Sequence, residues 1–441
     1  MHAQKVYIET YGCQMNVNDS EIVLSLLQKD NFAFTDHAEE ADVILINTCS
    51  IREHAETRIH GRIQVMKQLK KKKPSLLIAI LGCMAERMQD TLLSEGIVSI
   101  VAGPDSYRNL PALIRTAQRG QTSLDVLLST TETYEEIIPE RYEGNRISTF
   151  TSIMRGCNNY CSYCVVPYTR GRERSRPPDS IIAEIQDLLH KGYKEVTLLG
   201  QNVNSYAYKK ENTDVDFSKL LTEVAKLDPS LRVRFATSHP KDLSNKLLET
   251  IALYPNICKH IHLPLQSGST TILEKMNRRY TREQYMERIE SIRRIINGCS
   301  ITTDIIAGFC TETEHDHQQT LRLMEWAQFD FAYMFKYSKR PGTKAAEKFP
   351  DDVPEEVKTR RLEEIISLQN CLSQKSNASD VGTIFEVLVE GPSKKNTEEY
   401  CGRTSQNKTV VFPNNNFSPG QYINVKITSS TQATLLGIPV E

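Results

Sequence analysis

Three cysteines within eight residues are the strongest chemical signal in this chain. Cys157, Cys161 and Cys164 follow a C-x3-C-x2-C spacing. Three soft thiolates this close together can hold three corners of a cubane iron–sulfur cluster and leave the fourth iron open to a small molecule. A structural zinc site needs a fourth ligand, and no Cys or His occurs in the next two dozen residues. We predict an iron–sulfur cluster here; zinc and a set of plain buried thiols are the alternatives.

Three further cysteines each follow a short apolar run in the first hundred residues. They are Cys13, Cys49 and Cys83, and helical patterns at 21–29 and 53–73 separate the runs. Alternating strands and helices predict a doubly wound parallel sheet, in which the carboxyl ends of all strands lie at one edge. We therefore predict a second three-cysteine cluster. The alternative is three independently buried cysteines, which are common in strands.

Six strand-like runs, separated by helical patterns, fill the central part of the chain. The predicted strands cover 149–154, 195–200, 232–237, 260–265, 302–307 and 331–337. The predicted helices cover 179–190, 217–226, 243–253, 281–297 and 313–327. Six βα units are fewer than the eight of a closed barrel, so we predict a partial (βα)6 barrel. Cys157 follows its first strand, so the carboxyl edge should hold the first cluster.

This cysteine loop after a strand resembles the radical S-adenosylmethionine (SAM) superfamily. The resemblance implies a 4Fe–4S cluster whose open iron binds the amino and carboxylate groups of SAM. One electron then cleaves SAM to methionine and a 5′-deoxyadenosyl radical. Polar residues at the later strand ends are candidates for SAM binding, namely Gln201, Ser238 and Gln266. Ordinary loop and helix-cap roles are the alternative for each of them.

Four arginines occupy alternate positions directly after the cysteine loop. They are Arg170, Arg172, Arg174 and Arg176. Guanidinium groups bind phosphate and stack on unpaired bases, so we predict that this strip contacts RNA. The alternative is that the arginines neutralise the sheet edge or the SAM carboxylate.

The C-terminal segment predicts a third kind of structure. Five short strand patterns, at 383–390, 399–403, 408–412, 421–428 and 433–437, are separated by Gly, Pro and Asn turns, which is typical of a small β-barrel. This segment resembles the TRAM module, an RNA-binding barrel found on RNA-modifying enzymes. Its five Lys and Arg residues face six Asp and Glu residues, so its charge alone does not indicate RNA binding.

The N-terminal cysteine layout resembles the flavodoxin-like domain of the methylthiotransferases, where it holds an auxiliary 4Fe–4S cluster. The three parts match that family in order, and the run from Arg155 to Gly171 is most similar to its MiaB-type tRNA enzymes. The resemblance implies addition of a 2-methylthio group to N(6)-dimethylallyl (isopentenyl) adenosine beside the anticodon. It also implies two SAM molecules, two 4Fe–4S clusters, a tRNA anticodon stem-loop as partner and an electron donor of the flavodoxin or ferredoxin type.

In the implied reaction, a first SAM methylates sulfur at the auxiliary cluster. A second SAM is cleaved, and the radical abstracts hydrogen from carbon 2 of the adenine, which then receives the methylthio group. Enzymes of the same kind that act on a ribosomal-protein aspartate or on threonylcarbamoyladenosine are alternatives. A non-catalytic iron–sulfur carrier is another. One motif departs from the family, because Cys310 and Thr311 stand where Pro and Gly are usual.

Length and composition set the remaining expectations. The 441 residues predict about three domains, which we place at 1–120, 146–377 and 378–441 with a linker at 121–145. The net charge of −1 excludes a global field that attracts nucleic acid, so RNA contacts must be local. The eleven cysteines indicate metal chemistry in a reducing compartment. We expect a cytoplasmic monomer without a signal peptide or a membrane-spanning segment.

Overall fold

The computed structural model describes residues 3–49, 53–94, 96–141, 146–210, 213–394 and 396–441. In chain order these form a parallel sheet with helices on both faces, an open barrel and a small closed barrel. The predicted α/β architecture is confirmed. Within the described ranges, no helix is both long enough and apolar enough to cross a membrane.

The N-terminal part is a six-stranded parallel sheet. Its strands are β1 (Lys5–Tyr11), β2 (Ala33–Phe34), β3 (Val43–Thr48), β4 (Leu77–Gly82), β5 (Ile100–Ala102) and β6 (Ser123–Asp125). Its helices are α1 (Gln14–Lys29), α2 (Glu53–Lys72), α3 (Cys83–Ser94) and α4 (Leu110–Gln118). The strand order is β2-β1-β3-β4-β5-β6, a flavodoxin-like order with one added strand. Apolar residues of β3 and β4 are buried on both faces, because α1 and α4 cover one side and α2 and α3 the other.

The segment 121–145 is not the free linker that its polar composition predicts. Strand β6 lies within it and pairs with β5. Tyr134 is 1% exposed, and its hydroxyl donates to the carbonyl oxygen of Pro104 at 3.0 Å. The acidic side chains that indicate a linker instead pair with Arg108. The described part of this segment therefore belongs to the N-terminal sheet; 142–145 lie outside the described residues.

The central part is an open barrel of six parallel strands. Its strands and the short strands beside them are β7 (Ser148–Ser152), β8 (Met154–Arg155), β9 (Arg174–Ser175), β10 (Glu195–Leu199), β11 (Ala207–Lys210), β12 (Thr213–Asp216), β13 (Arg232–Ala236), β14 (His260–His262), β15 (Ser300–Ala307) and β16 (Phe331–Lys336). Strands β7, β10 and β13 form one half and β14, β15 and β16 the other, and a bridge between Val233 and Ile257 joins them.

Nine helices of the described residues follow or connect these strands, and most of them cover the outside of the barrel. They are α5 (Val166–Thr169), α6 (Pro178–His190), α7 (Phe217–Leu227), α8 (Asn245–Leu253), α9 (Thr270–Lys275), α10 (Arg282–Ile295), α11 (Glu314–Ala327), α12 (Lys344–Lys348) and α13 (Glu355–Ser379). The fourth strand is shorter than predicted, because Pro264 has no N–H to continue its ladder. Helix α13 was not predicted; its Ile365 and Leu372 close the core beside β16.

The C-terminal barrel lies at the amino ends of the central strands. Its closed order is β17-β18-β19-β21-β20, from β17 (Ile384–Pro392), β18 (Glu399–Thr404), β19 (Thr409–Pro413), β20 (Tyr422–Ser430) and β21 (Leu435–Val440). Arg232, the first residue of β13, donates to the carbonyl oxygen of Arg403 at 2.6 Å. Arg234 donates to that of Thr404 at 2.7 Å. The small barrel and the cysteine loop therefore lie at opposite ends of the central barrel.

Candidate functional site

The sheet register brings Cys13, Cys49 and Cys83 to one edge. Tyr11, Thr48 and Gly82 are neighbours across β1, β3 and β4, and the three cysteines follow them by one or two residues. We call these cysteines the strand-end triad. Cys13 caps α1, and Cys83 is the first residue of α3. The positive end of a helix dipole favours a thiolate, so this edge is suited to bind a metal cluster.

Helix α1 begins at Gln14, earlier than the sequence pattern predicts, and this start positions Asn16. The Asn16 amide donates to the side-chain oxygen of Asn47 at 3.1 Å, and Asn47 donates back to the Asn16 carbonyl at 2.9 Å. Asn16 also accepts from the Cys13 backbone at 3.3 Å. This buried pair holds the ends of β1 and β3 together. No spacing in the sequence indicated it.

Gly12 permits the close approach of the same two strand ends. Its φ is +149°, and a Cβ at this position would lie 2.5 Å from the Cβ of Cys49. Any larger residue would push Cys49 away from β1. Glycine is therefore required for the geometry of the strand-end triad.

The charges around the strand-end triad favour a thiolate at Cys13. A hydrogen bond from Cys49 and the nearby Arg170 guanidinium lower the pKa of Cys13 to about 6, against the opposing effect of burial. Burial raises the pKa of Cys83, although Arg170 acts in the other direction. Arg170 belongs to the barrel, so the electrostatics of this triad depend on a neighbouring part of the chain.

Cys157, Cys161 and Cys164 form the loop triad between β8 and α5. The backbone N–H of Asn159 donates to the Cys157 sulfur at 3.5 Å. Arg278 donates to the Cys161 sulfur at 3.4 Å. Burial raises the pKa of Cys157 to about 11 and that of Cys164 to about 12, so both thiols release protons when a metal binds. Donors aimed at cluster sulfurs are the usual outer shell of an iron–sulfur site.

A short helix links the two triads. Helix α5 begins two residues after Cys164 and packs against α3, which begins with Cys83. The side chain of Thr169, the last residue of α5, lies close enough to Cys83 to act against the rise that burial causes in the pKa of that thiol. Arg170 is six positions after Cys164, which corresponds to roughly 9 Å at helical rise. The two triads are therefore neighbours in space.

Two of the predicted SAM-binding residues carry unsatisfied polar atoms beside the loop triad. The Gln201 Oε1 and Ser238 Oγ atoms are buried and find no hydrogen-bond partner among the described residues, and the same holds for Nε2 of His239. The Val203 amide donates to the Thr237 carbonyl at 3.0 Å, which brings the ends of β10 and β13 together. An unpaired buried polar atom costs about 1–3 kcal/mol, so these atoms indicate a polar ligand at this edge.

Gln266, the third predicted residue, lies at the adjoining strand end. Its φ is +70°, and this left-handed backbone lets its N–H and C=O bond to Asp304 and Ile306 at 2.8 and 2.9 Å. Thr237 has a φ of +71° at the end of β13. Non-glycine residues in this region are strained and are common at ligand sites.

A chain of contacts that the sequence did not reveal joins the loop triad to this polar edge. Arg278, which reaches Cys161, also donates from Nε to the Tyr280 hydroxyl at 3.0 Å. The Tyr280 ring meets the His239 ring edge-on at 5.6 Å. Burial, with Arg278 nearby, lowers the pKa of His239 to about 2, so the imidazole is neutral. The residues in this series of contacts show no shared spacing in the sequence, so only the fold could identify the series.

Three of the four arginines that were predicted to contact RNA are buried in ion pairs instead, which corrects that prediction for these three. Arg170 bonds Asp19 at 2.7 Å, and Arg174 bonds Asp105 at 2.9 Å. Arg176 pairs with Glu184 on α6. Only Arg172 is exposed. The strip faces the N-terminal sheet instead of solvent, because the pairing of β9 with β8 places it against the N-terminal part of the chain.

The carboxylates that bind these arginines join the N-terminal sheet to the barrel. Asp19, on α1, lies between Arg170 and Arg155, with Arg155 Nη1 at 2.8 Å. Both guanidinium groups hold the pKa of Asp19 below its usual value, although burial raises it. Arg155 also lies 4.9 Å over the Tyr134 ring. We call Asp19, Asp105, Arg155, Arg170 and Arg174 the interface network.

The departure from the family motif has a structural consequence. Thr311, where glycine is usual, has a φ of +64°. Its N–H donates to Asp352 at 2.7 Å, and its hydroxyl accepts from Lys275. Cys310 is buried beside Tyr337. A β-branched residue is strained in this conformation, and the two hydrogen bonds hold it there.

Both cysteine sets satisfy the donor requirements of 4Fe–4S clusters. Each set offers three sulfurs and has nitrogen donors or helix ends nearby. Neither the sequence pattern nor the described residues provide a fourth protein ligand for either set. The polar edge beside the loop triad fits the amino, carboxylate and hydroxyl groups of SAM. Cys258, Cys299, Cys310, Cys371 and Cys401 lie apart from both triads.

Comparison with known families and structures agrees with this geometry. Residues 5–103 match "Uncharacterized protein family UPF0004", 151–324 match the radical SAM superfamily and 378–440 match the TRAM domain. Among solved structures, the radical SAM methyltransferase TsrM from Kitasatospora setae is similar in fold, with a TM-score of 0.60 and 13% identity over 78% of this chain and 74% of that one.

Curated relatives match over almost the entire chain. A protein of Phocaeicola vulgatus is 56% identical over 98% of this chain and 95% of its own length. One from Parabacteroides distasonis is 55% identical over 99% and 96%. One from Porphyromonas gingivalis is 52% identical over 99% and 95%. All three are named tRNA-2-methylthio-N(6)-dimethylallyladenosine synthase. The chain therefore belongs to the family of tRNA-2-methylthio-N(6)-dimethylallyladenosine synthases within the radical SAM superfamily.

Proposed function

We propose that this enzyme adds a 2-methylthio group to an N(6)-dimethylallyl adenosine beside the anticodon of tRNA, using SAM and two 4Fe–4S clusters. The loop triad would hold the cluster that binds and cleaves SAM. The strand-end triad would hold the auxiliary cluster that supplies sulfur. An external electron donor of the flavodoxin or ferredoxin type would reduce the first cluster, and the enzyme would act in the cytoplasm as a monomer.

The juxtaposition of the two triads carries this proposal. A radical SAM reaction alone needs only the loop triad. Here α5 leads from Cys164 to a contact with Cys83, so a second set of three thiolates lies beside the first. Radical generation and sulfur supply need separate metal sites that act on one substrate, and two neighbouring cysteine sets would meet that need.

The chain's own residues would orient the reactants. Clusters and SAM, when bound, supply the one-electron chemistry and the sulfur that side chains lack. Gln201, Ser238 and His239 would receive the polar groups of SAM, because their buried atoms have no partner among the described residues. The Nδ1 atom of His239 accepts from the Lys241 N–H at 3.3 Å, so the neutral ring carries its proton on Nε2 and can donate a hydrogen bond without adding charge. Arg278 would hold the Cys161 side of the loop.

The experiment is anaerobic reconstitution of the full chain. Iron is counted, and dithionite, SAM and an isopentenylated anticodon stem-loop RNA are added before products are measured by mass. We expect about eight irons per chain, deoxyadenosine and 2-methylthio product. A Cys371→Ala variant, which changes an exposed cysteine on α13, is the matched control and should behave like the parent.

The other outcomes separate the alternatives. Deoxyadenosine without modified RNA would contradict the tRNA substrate and favour a protein aspartate or threonylcarbamoyladenosine, which the same assay can test. About four irons per chain would contradict the second cluster. Full clusters without SAM cleavage would contradict the enzyme and favour an iron–sulfur carrier.

A further inference from the structure

Arg170 reaches from the barrel to the strand-end triad. Its Nη2 donates to Asp19 at 2.7 Å. Its Nη1 is buried and has no hydrogen-bond partner in the part of the chain that the structure describes. The guanidinium charge acts on Cys13 and Cys83. A buried N–H of a cation is costly without a partner, so this atom indicates an anionic or sulfur acceptor beside the triad.

The interface network supports the same conclusion through charge. In the described part of the chain, the ion pairs of its three guanidinium groups, Arg155, Arg170 and Arg174, are with the two carboxylates of Asp19 and Asp105. The network therefore has one positive charge in excess. Arg174 is bound by Asp105 and by the carbonyl oxygens of Ser129 and Arg170. Arg155 pairs with both carboxylates, at 2.8 and 3.7 Å, whereas Arg170 pairs with Asp19 alone. In Arg155 and Arg174 the atom without a partner among the described residues is Nε, but in Arg170 it is the terminal Nη1, so we assign the excess charge to Arg170.

We propose that Arg170 completes the auxiliary cluster site from the neighbouring domain by donating its free Nη1–H to sulfur of that cluster. This inference rests on the second cluster of the proposed function. Asp19 positions the guanidinium by holding its other nitrogen. The barrel thereby controls the charge balance of a cluster whose cysteines all come from the N-terminal sheet. Docking of the two domains is then a condition for a competent sulfur site.

The test isolates the auxiliary cluster in the full chain by changing Cys157, Cys161 and Cys164 together to Ala. Its midpoint potential is measured by anaerobic spectroelectrochemistry in this parent and with Arg170→Met, Arg170→Lys or Arg174→Met added. Loss of a nearby positive charge disfavours the reduced, more negative cluster. At a fixed potential, we expect Arg170→Met to lower the ratio of reduced to oxidised cluster about tenfold, or 59 mV for one electron. Arg170→Lys should recover much of this loss.

Arg174→Met is the matched control, because it removes an equally buried arginine of the same network. It should leave the potential near that of the parent. Loss of iron in Arg170→Met but not in Arg174→Met would also support the proposal. An unchanged potential in Arg170→Met, or an equal change in Arg174→Met, would overturn it. A parent chain that binds no iron would refute the second cluster itself and Arg170's role with it, before any arginine variant is made.

A different observation concerns the open side of the barrel. Phe331, Tyr333 and Phe335 alternate along β16 and are 46%, 50% and 47% exposed. The intervening Ala332 and Met334 pack on the helices, so the three rings face the inside of the open barrel. Tyr333 meets the His262 ring edge-on at 5.9 Å. We call Phe331, Tyr333 and Phe335 the aromatic face.

The position of this face identifies its occupant. The small C-terminal barrel contacts the amino ends of the strands, and the two triads lie at the carboxyl ends. An RNA that contacts both the small C-terminal barrel and the triads must run along the open side of the central barrel, where β16 is the last strand. Unpaired bases stack on exposed aromatic rings, and the aromatic face supplies three such rings on one strand. We infer that the aromatic face receives unstacked bases of the RNA that the proposed function requires.

The test measures the Kd of a fluorescently labelled isopentenylated stem-loop RNA by anisotropy with the reconstituted enzyme. Tyr333→Leu and Phe335→Leu keep apolar bulk but remove the ring. Each should raise the Kd about tenfold and leave the slope of log Kd against log salt unchanged, because stacking releases no counterions. Leu253→Ala, an exposed residue on the outer helix α8, is the control and should have no effect.

The outcomes distinguish this inference from the proposed function. An unchanged Kd in both leucine variants would overturn the aromatic face while RNA binding by the parent remained. A changed salt slope would also overturn it, because that indicates disturbed phosphate contacts. If the parent fails to bind the RNA, the substrate of the proposed function is refuted first.

Discussion

The loop triad and the strand-end triad reach the same ligand chemistry by opposite routes. The loop triad occupies eight consecutive positions, so local backbone geometry brings its sulfurs together. The members of the strand-end triad are 36 and 34 residues apart, and only the pairing of β1, β3 and β4 unites them. A metal site built from strand ends depends on sheet register. A site built in one loop depends mainly on its own residues.

The two sites also differ in charge. Burial raises the pKa of Cys157 to about 11 and that of Cys164 to about 12. In the other triad, the hydrogen bond from Cys49 and the Arg170 charge lower the pKa of Cys13 to about 6. Burial within its own domain is the largest influence on the pKa values of these two cysteines of the loop triad. The strand-end triad lies at helix ends and at a charged domain boundary. Tertiary packing therefore has more influence on the second site than on the first.

The largest predicted effect comes from Cys161→Ala. It removes one corner of the loop triad, so SAM cleavage and methylthio product should both be abolished. Iron should fall from about eight to about four per chain, because the other triad is untouched. Deoxyadenosine measured by mass, together with an iron count, checks this. SAM cleavage at the parent rate would contradict our assignment of the loop triad.

Cys49→Ala should separate the two activities. The variant should also lose about four irons, but it should still cleave SAM because the loop triad is intact. Methylthio product should be absent. The same mass assay measures both products in one sample. Modified RNA from this variant would show that the strand-end triad is not the source of sulfur.

A pair of glycine substitutions tests the different origins of the two triads. In Gly12→Ala the added methyl group meets Cys49, and in Gly156→Ala it meets the carbonyl oxygen of Arg172. The first should reduce iron at the strand-end triad and the second at the loop triad, so each variant should lose up to half of the total. Gly192→Ala, also at positive φ but with open space around it, is the control for backbone strain alone. Equal iron in all three variants would contradict the comparison.

Asp19→Asn tests how strongly the region of the strand-end triad depends on packing between the N-terminal sheet and the central barrel. The substitution leaves Arg155 and Arg170 buried without their shared carboxylate. Breaking a buried ion pair costs about 3–5 kcal/mol, so we expect a loss of that size in the free energy of unfolding. Denaturant titration measures it. Asp30→Asn, which breaks the more exposed pair with Arg115, should change stability by less than about 1 kcal/mol. Equal effects of both changes would contradict a role for the interface network.

Arg172→Ala should have the smallest effect. Arg172 is the one exposed member of the predicted strip, beside the loop triad. Loss of one phosphate contact should weaken RNA binding a few-fold and reduce the salt slope by about 1. Lys226→Ala, which removes an exposed cation on the outer side of the barrel, is the control. An unchanged slope would remove Arg172 from the RNA contacts.

Sequence patterns predicted the architecture and the cysteine positions well, because each depends on short-range rules. Apolar runs that end in Cys13, Cys49 and Cys83 indicated strands with a common edge. Turn residues in the last sixty positions indicated a small barrel. These signals lie within single elements, and most of the predicted helices and strands differ from the observed ones by a few residues. The exceptions are α1, which begins seven residues earlier than predicted, and α13, which was not predicted.

The arginine strip shows where such reasoning stops. Its spacing indicated a cationic surface, but Arg170, Arg174 and Arg176 are buried by the N-terminal sheet and by α6. Exposure depends on what packs against a segment, and the carboxylates Asp19 and Asp105 are distant in sequence. The path from Cys161 through Arg278 to His239 was missed for the same reason.

Ligand type, hydrophobic period and turn chemistry are local properties, so the amino-acid sequence is enough to predict which atoms can bind metal and in which order the three parts follow. The folded structure is needed to see that the two triads are neighbours, that Arg170 is a buried donor and that the aromatic face is open. Those outcomes depend on contacts between residues far apart in the chain. Burial and Coulomb interactions act through space, so no spacing along the sequence can express them.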